Sequence, residues 1–289
     1  MDRKTPKNHI RAAALLLTAA LLCACSSRGA EPEETRAPAV TMPPATAAPA
    51  APTETPAPTP ETDAPPTATS APTPTPAPTP EPYSPDLKEQ ERMEDTFFEE
   101  SAFVGNSLVD GLRLFGGLEY GSFYAATSVS VVSAMRTRDR LLANGGYGTL
   151  IDKLCEAQHD KIYILLGVNE IAFEPDYFAG LYGEMLDKIR ESEPEASIYI
   201  MGLTPVTKSR SSSSDTFTMK RVTAYNEALR ALAEERECYF VDLVDALADD
   251  SGYLPAAGST DGVHLTPDKY VQWSDYLRTH YAPADAPQD

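Results

Sequence analysis

The chain has 289 residues, with 43 Asp and Glu against 24 Lys and Arg, a net charge of −19, and most of its 26 prolines before residue 86. That balance excludes nucleic acid and anionic membrane surfaces as partners, because binding phosphates takes clustered Lys and Arg; for a protein working outside a cell it serves solubility. The histidines stand apart at positions 9, 159, 264 and 280, and no His-Glu-x-x-His or paired-cysteine spacing is present, so no metal site is legible.

Residues 1–24 read as a signal peptide: Arg3, Lys4, Lys7 and Arg11 precede an apolar run from Ala12 to Ala24. That run is too short for a membrane-spanning helix, which needs about 20 residues. It ends in Leu22-Cys23-Ala24-Cys25, which resembles the lipobox of bacterial lipoproteins. The resemblance implies a lipidated Cys25, a membrane anchor, and a location on the extracytoplasmic face of the bacterial cell membrane. Ordinary secretory cleavage near Ala24 is the alternative, and both outcomes put the working domain outside the cytoplasm. Residues 25–84 are almost entirely Pro, Thr, Ala, Glu and Ser, a composition with too little apolar surface to offset the entropy of ordering. They are expected to form a disordered stalk, which at about 3.1 Å per residue can reach well over ~100 Å if it stays extended.

Residues 85–283 are then one domain, and 284–289 a disordered tail. Apolar, β-rich runs recur at Ala102–Gly105, Phe123–Ala126, Lys161–Leu166, Ser197–Leu203 and Cys238–Val244. Helical patterns lie between them, at 108–115, 149–158, 177–193 and 217–236, and a last one over 267–281 has Thr266 as N-cap and Pro267 at its first position. Strands alternating with helices predict a parallel five-stranded sheet covered on both faces, an α/β fold of flavodoxin-like kind. Ligands in such sheets bind beyond the carboxyl ends of the strands, where the winding reverses. Ser107, Ser128, Asn169 and the pair Asp261 and His264 all follow predicted strands, so one edge should collect them. Cys155 and Cys238 both precede predicted strands; their pairing is left open, and two free thiols are the expected state.

Three short motifs carry chemistry. Gly105-Asn106-Ser107-Leu108 presents a serine where an apolar strand stops. Gly167-Val168-Asn169-Glu170 ends the most apolar strand, its glycine allowing close backbone approach and its asparagine offering an amide donor for an oxyanion. Asp261-Gly262-Val263-His264 sets a carboxylate three residues before an imidazole, a spacing that lets the aspartate hold one ring nitrogen while the other faces a serine. Each motif alone also fits ordinary turn chemistry.

In this order the motifs resemble those of the SGNH, or GDSL-like, hydrolases, and the resemblance covers residues 98 to 282. Asn106 stands where that family often has aspartate. The family's glycine after the second strand has no clear counterpart, and Ser128 is the residue offered there. The resemblance implies a three-layer α/β/α fold, ester hydrolysis through an acyl-serine intermediate, and no cofactor. It assigns Ser107, His264 and Asp261 as the catalytic triad, the backbone N–H groups of Ser107 and Ser128 and the Asn169 side chain as the oxyanion hole, and Gly105, Asn106 and Gly167 as supporting residues. The expected substrate is a short acyl ester, most of all an O-acetyl group on cell-wall or extracellular carbohydrate, and the expected state a monomer. An O-acyltransferase using the same serine and a non-catalytic glycan-binding module are the alternatives.

Overall fold

The structure is a computed structural model that describes residues 83–286; the signal peptide, Cys25 and nearly all of the stalk lie outside the described residues. Five strands, β1 (Ser101–Gly105), β2 (Ser122–Ala125), β3 (Lys161–Leu165), β4 (Ser197–Met201) and β5 (Tyr239–Val241), form one parallel sheet in the order β2-β1-β3-β4-β5. This is the doubly wound order in which the chain reverses direction between β1 and β3, and the crevice at that point is the expected ligand position.

The helices are α1 (Ser107–Phe115), α2 (Val131–Arg136), α3 (Leu150–Leu154), α4 (Pro175–Ser192), α5 (Lys208–Ser213), α6 (Met219–Glu235), α7 (Leu243–Leu247) and α8 (Pro267–Thr279). Strand residues alternate between the sheet's faces. Val104, Ile164 and Ile200 pack with residues of α2, α3, α4 and α6 into one apolar core, whereas Phe103, Tyr163 and Tyr199 pack with α1, α7 and α8 into the other. Three layers result, as the resemblance implies. On the second face each strand contributes one aromatic residue at matched register, giving the row Phe123, Phe103, Tyr163, Tyr199, Tyr239 with centroids 4.8, 5.0, 4.5 and 5.3 Å apart.

Several local expectations need correction. The polar stretch at 207–215, for which no helix was expected, contains α5, because the Thr207 hydroxyl accepts the Arg210 N–H and starts a helical turn. The fifth strand ends at Val241 rather than Val244, since the Asp242 carboxylate accepts the N–H groups of Val244 and Asp245 and so opens α7. A small antiparallel hairpin, Arg140–Leu141 with Tyr147–Gly148, lies where no strand was expected, and the helix expected over 149–158 stops at Leu154. Packed residues also run past both expected domain boundaries. The Tyr83 hydroxyl donates to the carbonyls of Ala233 and Cys238, and Asp285 accepts from the hydroxyls of Ser197 and Tyr199. Cys155 and Cys238 are both free thiols.

The aromatic row offers a contrast between two buried phenols. Tyr163 Oη has no hydrogen-bond partner among the described residues, whereas Tyr199 Oη donates to Asp285 and accepts the Ala282 N–H. Leaving a buried hydroxyl unpaired costs about 1–3 kcal/mol, and breaking a paired one costs a similar amount. Tyr163→Phe should therefore keep or raise the thermal midpoint, and Tyr199→Phe should lower it by several degrees; equal losses in calorimetry would contradict this reading.

Candidate active site

Asn106 closes β1 and caps α1: its Oδ1 accepts the Leu108 N–H at 2.9 Å, which leaves Ser107 as the first helical residue. Gly105 is required there, since a Cβ would meet Val109 Cγ2 at 2.4 Å and the Leu165 carbonyl at 2.5 Å. The strand end, the cap and the missing Cβ together put the Ser107 hydroxyl at the carboxyl edge of the sheet.

The loop bearing Asp261 and His264 reaches the same edge by backbone pairing rather than by following a strand directly. Thr207 N–H donates to the Gly262 carbonyl at 3.0 Å and Leu254 N–H to the Val206 carbonyl at 3.1 Å, so the loop is tied to the segment leaving β4. Ser259 tightens the turn by accepting the Gly262 N–H and donating to the His264 carbonyl, and Gly262 supplies the left-handed residue at φ 93°. Pro267 then starts α8, which lies along α1: Tyr270 rests on Gly111, and the Ser274 hydroxyl donates to the Gly116 carbonyl.

These supports bring the three side chains into line. Ser107 Oγ lies 3.0 Å from His264 Nε2, and His264 Nδ1 lies 2.8 Å from Asp261 Oδ2. Burial by itself would raise the Asp261 carboxyl. The His264 ring and the N–H groups of His264 and Val263 outweigh it and hold the group down at about 2. An ionised carboxylate only accepts, so Nδ1 carries the proton and Nε2 is left to accept from the serine. The side chains of His264 and Asp261 are 45 % and 54 % exposed, so the row opens directly on solvent. By contrast, His159 and Glu193 pair at 2.9 Å in the interior, and the other ring nitrogen faces the Tyr124 hydroxyl at 3.3 Å; no serine is in that row.

The predicted oxyanion donors flank Ser107 on both sides, because β2 and β3 are the neighbours of β1. Ser128 has φ 64°, the left-handed conformation for which a glycine is the usual choice. That is the backbone reason to align it with the family's glycine. Among the described residues none accepts the N–H of Ser107 or of Ser128. The Asn169 amide donates to the Val129 carbonyl at 2.8 Å, which fixes its orientation and leaves one hydrogen unused. Gly167, at φ 120°, makes the turn that delivers it, and a Cβ there would strike Phe178 Cζ at 2.7 Å.

Two features escaped the sequence reading. Glu170, read only as part of a motif, is buried and accepts the Val131 N–H. Gly111 is the seat of Tyr270, and its place on the buried side of a helix was the available signal. Among the described residues no three His, Cys, Asp or Glu side chains group as metal ligands.

The model of the GDSL-like lipase/acylhydrolase family matches residues 103–271. Solved structures similar to the chain include a candidate platelet activating factor from Streptococcus pneumonia, at 20 % identity and TM-score 0.50, covering 63 % of this chain and 83 % of that one. A GDSL-like lipase from Bacteroides thetaiotaomicron is 14 % identical with TM-score 0.47, covering 65 % and 89 %. A carbohydrate acetylesterase from Sinorhizobium meliloti is 13 % identical with TM-score 0.46, covering 62 % and 96 %. At such identities the first speaks for the fold alone, and the other two add no argument. No curated protein matches the sequence.

The left-handed backbone at Ser128 is directly testable. A β-branched residue tolerates that region poorly, whereas glycine enters it freely. Ser128→Val should lose about 1–2 kcal/mol in chemical denaturation, and Ser128→Gly should lose little or nothing. The reverse order would mean that residue 128 is not held at positive φ.

Proposed function

This chain belongs to the GDSL-like lipase/acylhydrolase family and is an ester hydrolase, and on that premise we propose a surface-anchored serine esterase that removes short acyl groups, chiefly O-acetyl, from cell-wall or extracellular carbohydrate. The observation that carries the reading is the unbroken row Ser107, His264, Asp261 with hydrogen-bond lengths of 3.0 and 2.8 Å.

In the first half-reaction Ser107 Oγ attacks the acyl carbon as its proton passes to His264 Nε2. The carbonyl electron pair moves onto oxygen, where the N–H groups of Ser107 and Ser128 and the free Asn169 hydrogen receive it. Collapse of the tetrahedral intermediate expels the alcohol, which takes the proton back from His264. Water repeats the sequence on the acyl-serine, releasing the acid and restoring the hydroxyl. Asp261 stays ionised throughout and stabilises the imidazolium.

Support for a glycan comes from the site's borders. α5, whose sequence Lys208-Ser209-Arg210-Ser211-Ser212-Ser213 contains no fully buried residue, adjoins the catalytic turn: the Thr207 N–H bonds Gly262, and the Arg210 stem packs against Gly262. A cluster of hydroxyls and cations beside the triad suits sugar hydroxyls better than a long acyl chain, which needs an apolar trough. Past Asn169, Phe173 and Tyr177 stand 40 % and 61 % exposed with ring centroids 5.8 Å apart, a surface on which a sugar face can stack. Anchoring rests on the lipobox resemblance at Cys25, and the stalk would carry the domain away from the lipid and into the glycan layer.

Ser107→Ala and His264→Ala should each abolish hydrolysis of activated acetate esters, and Asn169→Ala should lower kcat by about 10²–10³ with little change in KM. For wild type, kcat/KM should be highest on acetate in a series from acetate to palmitate, with acetate released from acetylated xylan or acetylated peptidoglycan. Full activity in Ser107→Ala would dismiss the mechanism, and a maximum at octanoate or longer would dismiss the substrate.

The anchor is tested separately. Cys25→Ser should move the protein from the membrane fraction to the medium with unchanged esterase activity, and retention in membranes would show that another segment holds it.

A further inference from the structure

Asn169 and Glu170 are consecutive, and both grip the strand-to-helix segment that carries Ser128. The Asn169 amide donates to the Val129 carbonyl at 2.8 Å, and Glu170 Oε1 accepts the Val131 N–H. Glu170 is 2 % exposed, and its second oxygen has no partner among the described residues. Its own backbone is fastened as well: the Glu170 N–H donates to the Gly167 carbonyl, and its carbonyl accepts the Tyr225 hydroxyl. Burying a carboxyl with one oxygen unpaired is costly, and glutamine or an apolar residue would pack there at less expense to stability. A core role alone therefore gives no reason for an acid at this position.

We propose that Glu170 is a positioning residue of the oxyanion hole, its carboxylate holding the Ser128–Val131 segment so that the strained Ser128 presents its N–H to the reacting carbonyl. The inference rests on the serine-esterase reading above and deepens it. Left-handed backbone at a non-glycine residue persists only where its surroundings fix it. The surroundings here are the Val129 carbonyl bond and the Val131 N–H bond, one and three residues past Ser128. Because the same segment orients Asn169, releasing it loosens two of the three oxyanion donors together. The loss falls on the transition state, where charge builds on oxygen, and not on ground-state binding.

The position also makes the clamp sensitive to pH. Burial pushes the Glu170 carboxyl up to about 7, against the Val131, Glu170 and Gly167 backbone bonds that pull it down. The groups facing it from α4 and α6 are the phenols Tyr182 and Tyr225, both raised, Tyr225 to about 12; Arg221 of α6 donates to the Ala172 and Phe173 carbonyls. From α2 the group it meets is the Val131 N–H. A carboxylate accepts that N–H more strongly than a carboxylic acid does. The clamp is thus tight above about pH 7 and slack below it, and activity gains a proton-dependent step beyond the one the base requires. For stability the sign is opposite. A carboxyl raised above its unfolded value near 4.3 weakens the fold as pH climbs from there through about 7.

The test compares wild type, Glu170→Gln and Glu170→Ala on an activated acetate ester across pH 5–9, with calorimetric midpoints measured in parallel. Glu170→Gln keeps an acceptor for Val131 and should lose about three- to tenfold in kcat, and Glu170→Ala about 10–100-fold, with KM within about twofold for both. The acid limb of log kcat/KM should be steeper than one around the Glu170 transition in wild type and have a slope of about one in Glu170→Gln, which should also lose the wild type's decline in midpoint between about pH 4.3 and 7. If Glu170→Ala fails to fold, the Glu170→Gln profile decides alone. Unchanged kcat and an unchanged acid limb in Glu170→Gln would overturn the proposal, as would a shift in midpoint with no change in rate. Turnover by wild type that persists in Ser107→Ala would instead remove the esterase reading on which it rests.

Discussion

Tyr270 seated on Gly111 is the contact on which the catalytic geometry depends. Ser107 is the first residue of α1, and His264 stands three residues before α8, so the distance between hydroxyl and imidazole is set by how closely these two helices lie. A Cβ at residue 111 would come within 2.1 Å of the Tyr270 hydroxyl and 2.2 Å of its ring, which keeps the position for glycine. Further along, the Ser274 hydroxyl bonds the Gly116 carbonyl and Arg278 bonds that of Gly117, so the helices are tied at a second level. Interiors pack at the density of organic crystals, and a displacement here travels the length of the helix to a 3.0 Å hydrogen bond.

On the sheet's other face the same logic governs the oxyanion side. The winding reverses between β1 and β3, so the residues that follow β2 and β3 flank Ser107 from opposite sides. The bond from Asn169 to the Val129 carbonyl closes that ring directly. The proposed nucleophile, with its own N–H, and the base are thus placed by the α1 and α8 layer, and the proposed donors at Ser128 and Asn169 by the layer of α2, α4 and α6. The sheet between them, cross-linked by its aromatic row, keeps the two sets in register.

Much of this was legible in the chain. The five strands were visible because parallel strands buried on both faces are nearly continuous apolar runs, and Ser107, Asn169, Asp261 and His264 each sit in a motif short enough to read in one line. Their mutual distances were not legible, since they depend on long-range packing. The hairpin at 140–148 was missed because strands of two residues have no period, and α5 because a Ser-rich stretch resembles a loop until Thr207 caps it. Ser128 was the hardest residue to align because its signature is a backbone angle, φ 64°, at a residue whose type does not announce it.

The central claim is that Ser107 carries the acyl group during turnover, and trapping it is the most direct measurement. Wild type mixed with an activated acetate ester, quenched in acid within its turnover time and digested, should yield the peptide containing Ser107 with one acetyl group added. The modification should be absent from Ser107→Ala and should accumulate in a variant in which deacylation is slowed. Steady turnover with no acylated Ser107, or with the acetyl group on another residue, would contradict the account.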